Sequence, residues 1–284
     1  MHDCSDKVVC LIPSAGIGKR MKPYRGVKEL TTIGYRYCTV DGKIKRVPKV
    51  LGEYVIDNML TTGAQNVIMV TNEQKSELIK FYGDGSQYNA SIAYVCQNTD
   101  SKYYGMPIAI DQAYSWIKGF TVLLGMPDTI VEPDTSFSIL LNEHIAQNAD
   151  LTIGVFPTDT PGKLAPVCFD ETTGKVIKIY DKPKMTKVFN TWNIIVWGPK
   201  FTELLHEYVL EYKNSYNKTK GEAILSDILN MAVDKELRVF AHFFEDGYCY
   251  DLGDTEKFVS LKIQLEHNEE KTVSELLNVH LINN

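Results

Sequence analysis

Apolar positions in the first half of the chain come in short continuous runs separated by stretches with helical spacing. Val8–Ile12 is uninterrupted and apolar, the pattern of a strand buried on both faces. Val50–Leu60 puts Leu51, Tyr54, Val55 and Met59 on one helical stripe and stops before Gly63. Val67–Val70 predicts a second strand, Glu73–Tyr82 an amphipathic helix stopped by Gly83, and Ile92–Val95 a third strand. A helix opened by proline follows at Pro107–Ile117, then a fourth strand at Val122–Leu124. Such alternation predicts an α/β fold with a mainly parallel sheet and helices on both faces.

The rhythm then changes. Leu151–Phe156, Ala165–Phe169 and Val176–Tyr180 read as strands with little between them, the last two joined by a turn at Asp170–Gly174. A strand at Thr191–Trp197 leads into a helix at Lys200–Tyr212. Glu222–Val233, Arg238–Phe244, Tyr248–Leu252 and Thr255–His267 read as helix, strand, strand and helix. The second half therefore adds antiparallel strands to the sheet, and residues 1–284 are expected to form one domain. Asp41-Gly42 between Tyr35–Val40 and Lys43–Val47 is a strong hairpin signal. Tyr94, Trp116 and Phe201 fit the core faces of helices or strands better than they fit stacking platforms.

Composition narrows the choice of function. The 284 residues carry 30 Lys plus Arg against 36 Asp plus Glu, a net charge of −6. A mildly acidic chain has no electrostatic case for nonspecific binding to nucleic acid or an anionic membrane, though a local basic site can still hold phosphate. The 6 cysteines are scattered singly, without metal or redox spacing, and the histidines show no zinc spacing. The polar start Met1–Lys7 and the short apolar run after it do not make a signal peptide. A reduced, cytoplasmic enzyme is the expectation.

The candidate chemistry begins after the first strand, at Pro13-Ser14-Ala15-Gly16-Ile17-Gly18-Lys19-Arg20. Open α/β sheets bind nucleotides at the carboxyl ends of their strands, where glycines let consecutive amides approach a phosphate. A dinucleotide fingerprint fails because Met21 stands where a third small residue is needed. A P-loop fails because Pro13 and Arg20 replace its first glycine and its magnesium-binding hydroxyl. Glycines alone are as consistent with a plain strand-to-helix turn. Arg20 and Lys28 tip the balance toward phosphate, because they bring two cations to the end of a buried strand in an acidic protein.

Leu11–Pro23 followed by Val27-Lys28-Glu29-Leu30 resembles the signature of the sugar-1-phosphate nucleotidyltransferases, which include glucose-1-phosphate thymidylyltransferases and uridylyltransferases. Further segments match in order: Pro48–Asn72, Gln97 with Gly105–Ala109, Val122–Asp128, Asp181-Lys182-Pro183, Gly221-Glu222 with Ser226-Asp227, and Tyr250–Asp254. The resemblance implies a Rossmann-like, nucleotide-diphospho-sugar transferase-like fold. It also implies transfer of a nucleoside monophosphate from a nucleoside triphosphate to a sugar 1-phosphate with release of pyrophosphate. By the same resemblance Arg20, Lys28 and Lys182 are catalytic cations, and Ser14, Ala15, Gly16, Gly18, Gln97 and Gly105 bind the nucleotide. Ala165, Asp181, Asn193 and Glu222 face the sugar, and Asp128 and Asp251 hold Mg²⁺, whose preference for hard oxygens suits carboxylates.

Departures from the family pattern gather on the sugar side. Asp181 replaces a glutamate, Asn193 a glycine, and Ala165-Pro166-Val167 an expected glycine-valine. Val27 replaces the proline before the lysine, and the hairpin around Asp41-Gly42 is an insertion. With Lys43, Lys45, Arg46 and Lys49 the hairpin either covers the nucleotide, meets a second subunit in a homo-oligomer, or is a solvated edge. A non-hexose phosphate acceptor and a silent regulatory subunit are the rival readings; retention of Arg20, Lys28, Asp128 and Asp251 argues against the second.

Overall fold

The computed structural model describes residues 7–16, 26–40, 42–98, 102–215 and 221–252. The chain opens with β1 (Val8–Pro13), whose first five residues are all buried. The hairpin β2 (Thr32–Val40) and β3 (Lys43–Val50) follows and leads directly into α1 (Leu51–Leu60). Then come β4 (Asn66–Thr71), α2 (Ser76–Tyr82), β5 (Ser91–Cys96), α3 (Met106–Asp111), α4 (Tyr114–Ile117) and β6 (Thr121–Leu124). Next in order are β7 (Thr129–Glu132), α5 (Ser136–Ala146), β8 (Leu151–Pro157), β9 (Val167–Phe169), β10 (Val176–Ile179) and β11 (Asn190–Trp197). The described chain ends with α6 (Pro199–Asn214), α7 (Leu225–Asp234), β12 (Val239–Phe243) and β13 (Tyr248–Asp251).

Seven strands form the central sheet in the order β12-β8-β11-β6-β1-β4-β5. β11 runs antiparallel to both neighbours and the other six run one way, so the sheet is mixed and mainly parallel as the patterning predicts. Helices cover both faces. Ile56 and Met59 of α1, Leu78 and Tyr82 of α2, and Phe137 and Leu140 of α5 pack on one side. Ile108 and Ile110 of α3, Ile117 of α4, Phe201 of α6 and Ile228 of α7 pack on the other. Each such fully buried large apolar side chain contributes about 1.5–3 kcal/mol.

Several elements differ from the sequence reading. Ala165–Phe169 and Val176–Tyr180 shorten to β9 and β10, which form a two-stranded sheet of their own, bridged beside its turn to β12 through Lys175 and Phe240. Pro107–Ile117 is two helices, α3 and α4. Ile110, Ala113 and Ile117 turn inward at helical spacing across that break, and Trp116 is left 56% exposed rather than in the core. Phe201 is fully buried as expected, and Tyr94 is half-buried with its hydroxyl donating to the Gly83 carbonyl at 2.7 Å. β7 and α5 have no counterpart in the sequence reading. The helix expected at Thr255–His267 lies outside the described residues. The hairpin forms as Asp41-Gly42 predicts, and Arg36 ties it to the body through a 3.1 Å ion pair with buried Glu53 of α1.

No helix among the described residues is long and apolar enough to cross a membrane.

Candidate active site

From β1 the chain crosses one way to β4 and β5, then returns to place β6 on the other side of β1. The crevice beyond the carboxyl ends of β1 and β6 is therefore the switch point where open α/β sheets hold ligands. Ser14, Ala15 and Gly16 leave β1 here, and Asp128 follows β6.

Lys28 lies on a single 3₁₀ turn, Lys28–Leu30, and its Nζ pairs with the Asp128 carboxylate. Asp128 is also tied through its backbone, accepting from the Leu252 amide at 3.0 Å. The neighbouring ladder pairs Asp251 of β13 with Thr129 of β7, so the two aspartates nominated from the sequence come from neighbouring positions of one two-stranded ladder.

A cleft of about 1200 Å³ opens beside them. Its lining includes Asp128, Asp251, Ala165, Asp181, Lys182, Asn193 and Glu222. That volume exceeds the usual range for one small ligand, about 300–1,000 Å³, and has room for two. Thr158, Asp159, Thr160 and Lys163, on the segment after β8, and the aromatic rings of Phe189, Trp192, Tyr248 and Tyr250 complete the wall. Sequence reasoning passed over this group because loop threonines and scattered aromatics have no periodic signature.

Local backbone explains why these side chains converge. The ladder between β11 and β8 shifts register between Trp192 and Ile194, which leaves Asn193 in a bulge. A bulge re-aims its side chain, and Thr191, Trp192 and Asn193 all line the cleft as consecutive residues. Lys182 has φ +43°, rare for a residue with a β-carbon, and its amide donates to the Leu164 carbonyl at 2.8 Å. The Thr158 amide donates to the Phe189 carbonyl at 3.1 Å, and Asn190 exchanges two side-chain bonds with the Val167 backbone. The segments after β8 and β10 are thus laced to the start of β11.

Glu222 is set by a close backbone approach. Gly105, at φ +120°, bridges to Ala223, and a β-carbon at Gly105 would collide with the Ala223 carbonyl. The need for glycine at this position is thereby met within the protein. Gln97 continues β5 through its amide to the Thr71 carbonyl at 2.8 Å. Neither residue lines the cleft.

The glycine loop rests on a buried polar network absent from the sequence reading. Ser14 is 1% exposed; its amide donates to the Val70 carbonyl at 2.7 Å, and its own carbonyl accepts from Lys75 Nζ at 2.8 Å. Lys75 also pairs with Glu29 at 2.6 Å, and Asn72 Nδ2 donates to the Ala15 carbonyl at 2.7 Å. Burial pulls the Lys75 pKa below its ordinary value, with the Glu29 carboxylate opposing that shift. The only local hint is that Asn72 and Lys75 follow the carboxyl end of a parallel strand. Gly18 and Arg20 lie outside the described residues.

No group of three or more His, Cys, Asp or Glu among the described residues is arranged to hold a metal ion. Asp128 and Asp251 nonetheless both line the cleft and supply hard-oxygen donors. Mg²⁺ usually takes one or two protein carboxylates and completes its shell with water and substrate phosphates, and this donor set fits it.

Sheet order and cleft position define an α/β protein with a ligand-sized cleft at the carboxyl ends of its strands. Its backbone resembles that of a Bacillus anthracis protein described as a glucose-1-phosphate thymidylyltransferase in complex with sucrose, at TM-score 0.72 and 17% identity over 91% of this chain and 94% of that one. It also resembles a UDP-glucose pyrophosphorylase complexed with UDP-glucose, at TM-score 0.72 and 16% identity over 92% and 98%. No curated protein sequence matches. The nucleotidyl transferase family model matches residues 43–268, most of the chain. The chain belongs to that family and is a nucleotidyltransferase enzyme.

Proposed function

We propose that this enzyme transfers a nucleoside monophosphate from a nucleoside triphosphate to a sugar 1-phosphate. The observation that carries the reading is the single cleft shared by Asp128 and Asp251 with Ala165, Asp181, Lys182, Asn193 and Glu222. Asp128 pairs with Lys28 and Asp251 ends β13, while the others come from the segments after β8 and β10, from β11 and from the segment before α7. Two solved neighbours described as a glucose-1-phosphate thymidylyltransferase and a UDP-glucose pyrophosphorylase support it.

In this reading a phosphate oxygen of the sugar 1-phosphate attacks the α-phosphorus, the bond to the β-phosphate oxygen breaks, and pyrophosphate leaves. Two polyanions must meet, so the task is positional and electrostatic. The Ala15 and Gly16 amides and Arg20 bind the polyphosphate, while Lys28 meets charge developing at the α-phosphate. Lys182 holds the acceptor phosphate, and Asp181 and Glu222 accept from sugar hydroxyls. A phosphate with a second pKa near 6 is already ionised at neutral pH and needs no general base. Asp128 and Asp251 would hold Mg²⁺, which when bound neutralises phosphate charge.

Pyrophosphate release measured across a grid of nucleoside triphosphates and sugar 1-phosphates tests the reading. One productive pair establishes it and names base and sugar; no pyrophosphate from any pair overturns it.

A further inference from the structure

Burying an ammonium and a carboxylate is costly, and a buried ion pair is often no more stabilising than an apolar pair of the same size. Lys75 and Glu29 are 7% and 2% exposed. Their network is incomplete as well: Glu29 Oε2 and Ser14 Oγ find no hydrogen-bond partner among the described residues. Stability alone is therefore a poor reason for the pair.

Its geometry offers another. In a planar trans peptide the C=O and the following N–H point in opposite directions. Lys75 draws in the Ser14 carbonyl, and Asn72 draws in the Ala15 carbonyl. The amides of Ala15 and Gly16 must then face away from the network, and neither donates to a partner among the described residues. Gly16 is exposed, and a β-carbon there would meet nothing within 4 Å. Two successive outward amides form an anion nest. Glu29, the third member, is the chain neighbour of Lys28, so the same pair also anchors the turn that carries Lys28 to Asp128.

We infer that Lys75 and Asn72 are positioning residues for the triphosphate: they fix two loop carbonyls so that the Ala15 and Gly16 amides face its phosphates. The inference rests on the nucleotidyl-transfer reading above.

The test separates positioning from packing. Lys75→Met alone strands the Glu29 carboxylate, whereas Lys75→Met/Glu29→Gln removes the stranded charge and leaves the loop bond and the anchor of the Lys28 turn missing; Asn72→Ala removes a loop bond without touching that anchor. Binding of UTP, dTTP, CTP, ATP and GTP is measured by calorimetry on wild type and variants, alongside thermal midpoints. The double variant should melt within a few degrees of wild type yet bind the preferred triphosphate roughly 10-fold or more weakly, as expected for a lost charge-assisted hydrogen bond. Asn72→Ala, which strands no charge, should weaken binding in the same direction and keeps the test decisive if the double variant does not fold. Triphosphate affinity within twofold of wild type in the folded variants overturns the inference while leaving the function intact. A wild type that binds none of the five nucleotides overturns both.

Discussion

Lys28 and Asp128 stand 100 residues apart in sequence and form an ion pair where β1 and β6 end. Their side chains are only 14% and 18% exposed, so the pair is partly shielded from solvent. Without ligand each satisfies the other. In the proposed reading a polyphosphate would offer the ammonium a richer partner and free the carboxylate for a cation, so both residues would exchange partners on substrate binding.

Lys28→Ala should therefore lower kcat by roughly 100-fold while raising the KM for the triphosphate much less, because charge that develops in the transition state loses its counter-ion. Steady-state kinetics with the productive pair decide. An unchanged kcat with a raised KM would make Lys28 a binding residue only.

Asp128→Asn and Asp251→Asn should each reduce turnover by about 100-fold or more at saturating Mg²⁺. The backbone ladder between β7 and β13 is untouched, so Asp251→Asn should leave the thermal midpoint little changed, whereas Asp128→Asn also deprives the shielded Lys28 ammonium of its counter-ion and should lower it. Near-normal activity in either variant removes that residue from the metal assignment.

Asp181→Ala should lower kcat/KM for the sugar 1-phosphate by roughly 10- to 100-fold, about 1.4 to 2.7 kcal/mol. Triphosphate affinity, measured by calorimetry without sugar, should stay within about twofold, since distant sites act independently. The opposite pattern would reassign the Asp181-Lys182 wall to the nucleotide.

A stability prediction concerns His144, which is 6% exposed and bonds through Nδ1 to the Thr152 hydroxyl at 3.0 Å. Burial lowers its pKa to about 4, with Asp150 opposing that shift. Between that value and an unfolded pKa near 6.5 the unfolded chain binds the extra proton, so stability is full above about pH 6.5 and falls as pH drops toward 4. The loss should reach roughly 3 kcal/mol and then level off. Denaturant melts at pH 7 and pH 4.5 should show a smaller difference in His144→Gln than in wild type. An unchanged difference would assign the acid sensitivity to other groups, such as His242, whose pKa burial also lowers.

Much of this architecture was legible because its strands announce themselves. β1, β4, β6 and β8 are nearly continuous apolar runs, as strands buried on both faces must be. β7 escaped because four residues make no periodicity and its partner β13 begins more than a hundred residues later. α5 escaped because Ser136 and His144 are buried while Ile145 is 52% exposed, which blurs its amphipathic stripe. The seven cleft residues were nominated by the order of short motifs along the chain. Lys75 and Glu29 carry no such mark, since a buried pair between two turns exists only once the sheet has folded.

The bulge at Asn193 bears on how such an enzyme diversifies. A side chain set outside the regular ladder register can be exchanged without shifting the strand that carries it. Asp181 and Ala165 sit on connecting segments outside the main sheet, where it is the backbone of Ala165, not its side chain, that bonds to β11. The wall we assign to the acceptor is thus mutationally cheap, whereas the Ser14–Lys75–Glu29 underpinning is locked into the interior. Selection, or a designer, can retune the acceptor one residue at a time while the polyphosphate cradle is inherited whole.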